Sequence, residues 1–319
     1  MDAPILNIQH LSKQYRSQKD RFAVKDLNLM VAGGSLYGLI GPDGAGKSTT
    51  LRILSTVIAP TSGEIKINGY DVVREPEKIR PYIGYMPQQF SLYPDLTVRE
   101  NLDFFSNINQ VPKSEKEERI QKMLAFTRLE HFQNRRAKNL SGGMKKKLVL
   151  ACSLVHNPKV LILDEPSTGV DPVSRRELWQ MLADVVVQGV TIIVSTPYMD
   201  EAERCSDIAI LHEGAVIVQG KPADLKKALP FDMVEVKAKP RNVMRGVASQ
   251  QENVLDWRPV GDRLRIAVPK GQTKALVSSM KKELADKQAD VRFLRKVKPL
   301  MEDVFTYQVK NLRAVHESL

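Results

Sequence analysis

Very little in this chain can act as a covalent or metallic scaffold. Its 319 residues include two cysteines, Cys152 and Cys205, too few for a disulfide framework or a thiolate metal cluster. Cys152 falls in the apolar run 148–155 and reads as a small buried hydrophobe. So sparse a use of cysteine fits a reducing, cytoplasmic compartment. Long hydrophobic runs are missing too. The most apolar stretch, 185–199, carries Gln188, Gly189 and Pro197 and is shorter than the roughly 20 residues of a membrane span. The first residues lack the basic segment and apolar core of a secretory signal, so none is expected. A function at a membrane therefore has to borrow its span from a partner. Repeats and low-complexity segments are absent. With 42% hydrophobic and 27% charged residues, a folded globular chain is expected rather than disorder.

The net charge is +11, and residues 225–319 hold 20 Lys/Arg against 11 Asp/Glu. The basic excess therefore lies mostly in the last third. Such a surface can face nucleic acid or anionic lipid, or can simply be solvated. The length suits one larger and one smaller domain, and composition shifts at 222–230. The expected boundaries are 1–225 and 231–319.

Alternating patterns at 5–8 and 23–31 read as strands, and 35–40 as a strand entering a glycine-rich loop. A helix is expected over 47–57, a turn at 60–63 and a short strand at 64–67. The stretch 98–133 reads as helical, and a further helix runs from Ser141 to 155. The apolar runs 160–163 and 190–195 read as strands buried on both faces, with a helix over 175–187 between them. This alternation predicts an α/β fold, a mainly parallel sheet covered by helices. After 230 the expected order is strand 233–237, short helix, strands 254–257 and 264–268, helix 273–285, strand 291–294 and helix 300–311. That order is a split βαβ arrangement in a small α+β domain.

The sharpest motif is the run Gly41, Pro42, Asp43, Gly44, Ala45, Gly46, Lys47, Ser48 and Thr49. It fits G-x-x-x-x-G-K-[ST] and sits between a predicted strand and a predicted helix, the context a phosphate-binding loop needs. Backbone N–H groups and a helix N-terminus cradle phosphates there. Lys47 would reach the β- and γ-phosphates of ATP, and Ser48 would offer its hydroxyl to Mg²⁺. The strand 160–163 ends in Asp164 and Glu165. Beside a phosphate loop, Asp164 is placed to hold the metal and Glu165 to polarise the attacking water.

A second signature is Leu140, Ser141, Gly142, Gly143, Met144, Lys145, Lys146 and Lys147. Ser141 is a helix cap followed by two glycines, which forms a second anion site. Within one nucleotide pocket that site is redundant; it makes sense if it closes on ATP held by another subunit. Here the sequence resembles the ATP-binding cassette family, over residues 5 to about 225. The resemblance implies a P-loop NTPase cassette with N-terminal antiparallel strands and a helical subdomain at about 90–157. It implies two cassettes, as a homo- or heterodimer, sandwiching two ATPs. It further implies that Tyr15 stacks on adenine, that Gln88 touches Mg²⁺ and water, and that Asp171 works across the dimer. The segment from Phe90 to Leu102 is then the surface that receives the membrane subunit.

One position departs from the family pattern. Pro197 stands where the family has a histidine that bonds the γ-phosphate, and proline has no N–H to offer. Slow hydrolysis, or a weakly hydrolysing regulatory cassette in an asymmetric pair, is the expected consequence. Met144 replaces the commoner glutamine, and Met-Lys-Lys-Lys resembles the drug-exporter branch. Lys298 to Phe305 resembles, inexactly because of Met301, the segment closing the C-terminal accessory domain of drug- and lipid-exporting cassettes. The leading expectation is an ATP-hydrolysing subunit that drives a separate transmembrane permease for drugs, lipids or polysaccharides. It would lie peripherally on the cytoplasmic face of the cell (inner) membrane, with no nucleic acid expected as partner. The alternatives are a soluble cassette ATPase acting on nucleic acid or ribosomes, and a nucleotide-dependent subunit that never hydrolyses ATP.

Overall fold

The computed structural model describes residues 4–16, 21–89 and 91–317, with side chains described to Leu312. The chain forms two compact units, Met1–Pro222 and Ala223–Leu319.

In the first unit the strands are β1 (Leu6–Gln14), β2 (Phe22–Val31), β3 (Leu36–Ile40), β4 (Ser62–Ile67), β5 (Tyr70–Asp71), β6 (Ile83–Met86), β7 (Val160–Asp164), β8 (Thr191–Thr196), β9 (Asp207–His212) and β10 (Ala215–Gly220). Its helices are α1 (Lys47–Leu54), α2 (Pro76–Ile79), α3 (Val98–Ile108), α4 (Lys113–Thr127), α5 (Gly142–Leu154), α6 (Pro172–Val187) and α7 (Met199–Ala202).

Two sheets organise this unit. A four-stranded antiparallel sheet runs β2-β1-β4-β5, and a six-stranded sheet runs β10-β9-β3-β8-β7-β6. All neighbours in the larger sheet are parallel except the β9–β10 edge pair. Its central strands β3, β7 and β8 are buried at every residue, as expected when both faces are covered. The registers align Ile40 with Thr196, Asp164 with Ser195 and Met86 with Leu163. The carboxyl ends of β3, β6, β7 and β8 therefore open onto one edge, where open parallel sheets bind ligands.

Helices α3, α4 and α5 share their own small core of Val98, Leu102, Ile120, Leu124, Leu148 and Cys152. The single helical stretch expected over 98–133 is in fact two helices. Gln110 takes a left-handed conformation (φ 54°) and Pro112 starts α4, while Arg128 (φ 57°) ends it. A proline lacks the N–H that a continuous helix requires, whereas at a helix start that group is idle. Helix α1 likewise stops at Leu54 rather than 57, because Thr56 is left-handed (φ 59°). Strand β1 extends past 8 to Gln14, carried by irregular pairing with both β2 and β4.

The second unit contains α8 (Pro222–Ala228), which begins at the boundary, then β11 (Phe231–Lys239), α9 (Arg241–Gln250), β12 (Asp256–Val260), β13 (Arg263–Pro269), α10 (Thr273–Asp286), β14 (Asp290–Val297) and α11 (Met301–Glu317). Its sheet order is β12-β13-β11-β14, antiparallel throughout. β13 thus lies between β11 and β12, which splits the first βαβ crossover. Val234, Val236, Leu264 and Ile266 of the sheet pack with Met244, Val247, Leu276 and Met280 of α9 and α10. The opposite sheet face is held to α11 through Asp303, which accepts from Arg265 at 2.8 Å and from Arg258 at 2.9 Å.

Candidate nucleotide-binding site

The loop 41–46 leaves β3 at the open edge and enters α1 directly. Gly46 is the cap residue with φ 101°, and a Cβ there would lie 2.4 Å from the carbonyl oxygen of Ala23. Only glycine meets both demands, and the first N–H groups of α1 remain without a side-chain cap. Lys47 opens the helix almost fully buried. Its ammonium donates to the carbonyls of Gly41 (2.8 Å) and Pro42 (3.0 Å) and stands 3.5 Å from Glu165 Oε1.

Ser48 Oγ donates to Asp164 Oδ1 at 2.9 Å, and Ser195 Oγ donates to the same oxygen at 2.7 Å. The other carboxylate oxygen, Oδ2, is buried without a hydrogen-bond partner among the described residues. An orphaned buried carboxylate oxygen is costly, and it marks the point where a cation or its water shell fits.

Glu165 is the next residue, and successive side chains of a regular strand face opposite ways. Here the backbone turns into the left-handed region (φ 49°), and both carboxylates meet residues of the phosphate loop: Asp164 meets Ser48, and Glu165 meets Lys47. Left-handed backbone at a non-glycine residue costs about 1–3 kcal/mol and persists where its surroundings hold it. Those surroundings are specific. The Glu165 N–H donates to Ser195 Oγ (3.0 Å), and its Oε2 accepts from Gln88 Nε2 (2.9 Å) and Thr168 Oγ1 (3.2 Å).

Tyr15 sits on the rim, with its hydroxyl 3.4 Å from Thr49 Oγ1 and the Lys13 ammonium 5.4 Å from its ring centre. Tyr15, Phe22, Asp43, Gly44, Ala45 and Ser48 are among the residues lining an open cleft of about 410 Å³, together with buried Lys47 and Glu165 and exposed Gln88.

The other sequence-selected residues form a separate group. Ser141 caps α5 by accepting from the Met144 N–H (3.3 Å), and Asp171 caps α6 by accepting from Val173 and Ser174 (3.0 Å each). The two caps adjoin: a Cβ on Gly143 would be 2.5 Å from Ser174 Oγ and 3.7 Å from Asp171 Oδ2, and one on Gly142 would be 3.8 Å from the Gly169 carbonyl. Ser141, Gly142, Gly143 and Asp171 are not among the described residues lining the Lys47 cleft. Phe90 lies outside the described residues.

Four polar residues at the site escaped the sequence reading. Ser195 and Thr168 brace Glu165, and Lys146 reaches the backbone behind it. Glu201 lies under the Pro197 turn, wholly buried, and accepts from Arg175 Nε (2.6 Å), Trp179 Nε1 (2.9 Å) and the Thr196 hydroxyl. No local pattern marked them: Lys146 is the middle of three lysines, Thr168 stands between Ser167 and Gly169, Ser195 precedes Thr196 and Glu201 follows Asp200.

Comparison with known proteins identifies the family. Residues 24–168 match the family described as ABC transporter. The probable multidrug ABC transporter ATP-binding protein YbhF of Escherichia coli (strain K12) is 43% identical over 229 residues, covering 72% of this chain and 39% of that protein. The chain thus spans about two fifths of the length of that relative. The daunorubicin resistance ATP-binding protein DrrA3 of Streptomyces coeruleorubidus is 32% identical, and the match covers 98% of both chains. Among solved structures, the dimeric post-hydrolysis state of the ATP-binding cassette MJ0796 bound to ADP and Pi matches with a TM-score of 0.63 at 29% identity, covering 68% of this chain and 98% of that one. The phosphate loop, the paired carboxylates and these likenesses lead to one conclusion: the chain belongs to the ABC transporter family, as one of its ATP-binding cassette proteins.

Proposed function

We propose that this cassette hydrolyses Mg-ATP to drive a separate transmembrane permease that exports drugs, lipids or polysaccharides. The observation that carries the reading is the meeting of Lys47, Ser48, Gln88, Asp164 and Glu165 at one sheet edge. Lys47 and the loop N–H groups bind the phosphates, and Tyr15 flanks the adenine. Ser48, Asp164 and Gln88 hold Mg²⁺, for which the orphaned Asp164 Oδ2 is a fitting ligand or water acceptor. The ion neutralises phosphate charge when bound. Glu165, buried and hydrogen-bonded by Gln88, accepts a proton from the attacking water.

Ser141, Gly142, Gly143 and Asp171 serve the ATP of a second cassette, since they stand apart from their own cleft. The dimeric MJ0796 cassette with ADP and Pi, and the relatives named for multidrug transport and daunorubicin resistance, support this assembly and the export direction. Among the described residues no helix is long and apolar enough to cross a membrane. The segment after Gln88 and the helices α3 to α5 receive the permease at the cytoplasmic face of the membrane. Partly exposed Tyr93 and Ile108 there supply apolar contact. Pro197 offers no donor to the γ-phosphate, which favours slow turnover or the weaker half of an asymmetric pair.

The test is Glu165→Gln. ATP binding should persist while hydrolysis falls by about 10²–10⁴-fold, the usual worth of a positioned general base. An unchanged hydrolysis rate would remove Glu165 from the mechanism.

A further inference from the structure

Three lysines follow one another in α5, yet they do different things. Lys147 pairs with Glu177 at 2.6 Å, Lys145 is half-buried, and Lys146 is only 4% exposed. The Lys146 ammonium donates to the backbone carbonyls of Gln88 and of Glu165, both at 3.4 Å. Those are the two residues whose side chains are themselves joined at 2.9 Å. Burial lowers the affinity of Lys146 for its proton, and the Glu165 and Asp164 carboxylates act in the opposite direction. Desolvating an ammonium is expensive, and packing alone is served better by an apolar side chain. A cation kept behind the catalytic strand end therefore has an electrostatic and geometric task.

Helix α5 gives that task a direction. Its cap Ser141 and first residue Gly142 are exposed, while Lys146, about one and a half turns on, is inserted under the site of its own chain. A helix of this length moves as a body. Both contacts lie at the long limit of hydrogen bonding, so a small advance of α5 tightens them together.

We propose that Lys146 is a positioning residue that ties α5 to the backbone of Gln88 and Glu165, so that closure of Ser141 on the partner cassette's ATP sets the general base of its own site. This inference rests on the two-cassette reading given above.

The experiment uses the full chain with three variants: Lys146→Met, similar in length and uncharged; Lys146→Gln, which keeps a donor without charge should the methionine variant fold poorly; and Lys146→Arg. Steady-state ATP hydrolysis is followed against ATP and protein concentration, with ATP affinity and melting temperature measured alongside. Wild type should be cooperative. The methionine and glutamine variants should lose about tenfold or more in kcat, the scale of a lost charged hydrogen bond. They should also become non-cooperative with unchanged ATP affinity, and the arginine variant should recover most of both. Uncharged variants that keep wild-type kcat and cooperativity overturn the proposal. So do variants in which affinity, rate and melting temperature fall together, arginine included, because that is a purely structural role. A non-cooperative wild type overturns the two-cassette reading itself, and this inference with it.

Discussion

Gln88 and Glu165, 77 residues apart in the chain, are joined by a hydrogen bond of 2.9 Å from Gln88 Nε2 to Glu165 Oε2. Gln88 stands just beyond the end of β6 and Glu165 just beyond the end of β7, and these strands are parallel neighbours. The residue just before the proposed permease-facing segment thus holds the proposed general base directly. Gln88→Ala should leave ATP affinity intact and lower permease-stimulated hydrolysis by about tenfold or more, as expected for a lost charged hydrogen bond of roughly 1.5–3 kcal/mol. Steady-state kinetics of the variant with its permease in lipid checks this; an unaltered rate counts against the link.

Asp164 should matter through the metal. Asp164→Asn keeps the shape but removes the charge, leaving Ser48 and Ser195 donating to a neutral amide. The Mg²⁺ concentration needed for half-maximal hydrolysis should rise by tenfold or more, about 1.4 kcal/mol of lost interaction. A Mg²⁺ titration at saturating ATP reads this, and a superimposable curve rejects Asp164 as the ligand.

Pro197 follows Thr196, whose carbonyl accepts from the Gly41 N–H at 3.3 Å. A donor placed beside the phosphate loop should therefore reach bound phosphate. Pro197→His is expected to raise the single-turnover hydrolysis rate by about 10-fold or more, within the range found for donors to developing charge. An unchanged single-turnover rate would show that Pro197 does not limit the reaction.

Glu201 should be a stability residue. Its buried carboxylate joins Arg175, Trp179 and Thr196, so Glu201→Ala strands the Trp179 and Thr196 donors in the interior and leaves Arg175 only its pairing with Asp200. Breaking a buried charge pair costs about 3–5 kcal/mol, reduced here because Arg175 is partly exposed. Denaturant unfolding should show a loss of about 2–4 kcal/mol; a loss within a few tenths would mean that the network carries little.

Gly143 tests the second cluster. An alanine Cβ would fall 2.5 Å from Ser174 Oγ, pushing the start of α5 off α6. Gly143→Ala should depress hydrolysis at protein concentrations where wild type is active, while monomeric ATP affinity stays the same. Equal activity at every concentration would separate the signature from catalysis.

Much of the site was readable in one dimension because its parts are contiguous. The loop 41–49 needs its glycines, lysine and serine in one fixed order, so the motif survives in the linear sequence. Asp164 and Glu165 stood out for a similar reason, as charges closing an apolar strand. Ser195, Thr168 and Lys146 did not, since a serine at a strand end or one lysine among three has no local mark of function. The break between α3 and α4 was also missed. Its cause is a left-handed Gln110 followed two residues later by Pro112.

By itself the sequence carried the phosphate-loop motif, the alternation of strand and helix and the family resemblance. All of these rest on short-range order, residue types at fixed spacings along the chain. Tertiary structure decided which distant groups meet. Ser48 reaches Asp164 across 116 residues, Ser195 reaches Asp164 across 31, and Lys146 reaches Gln88 across 58. Those meetings follow from the parallel order of β3, β8, β7 and β6, which brings their carboxyl ends to one edge. Strand order is set by packing over the whole unit, and no local spacing encodes it.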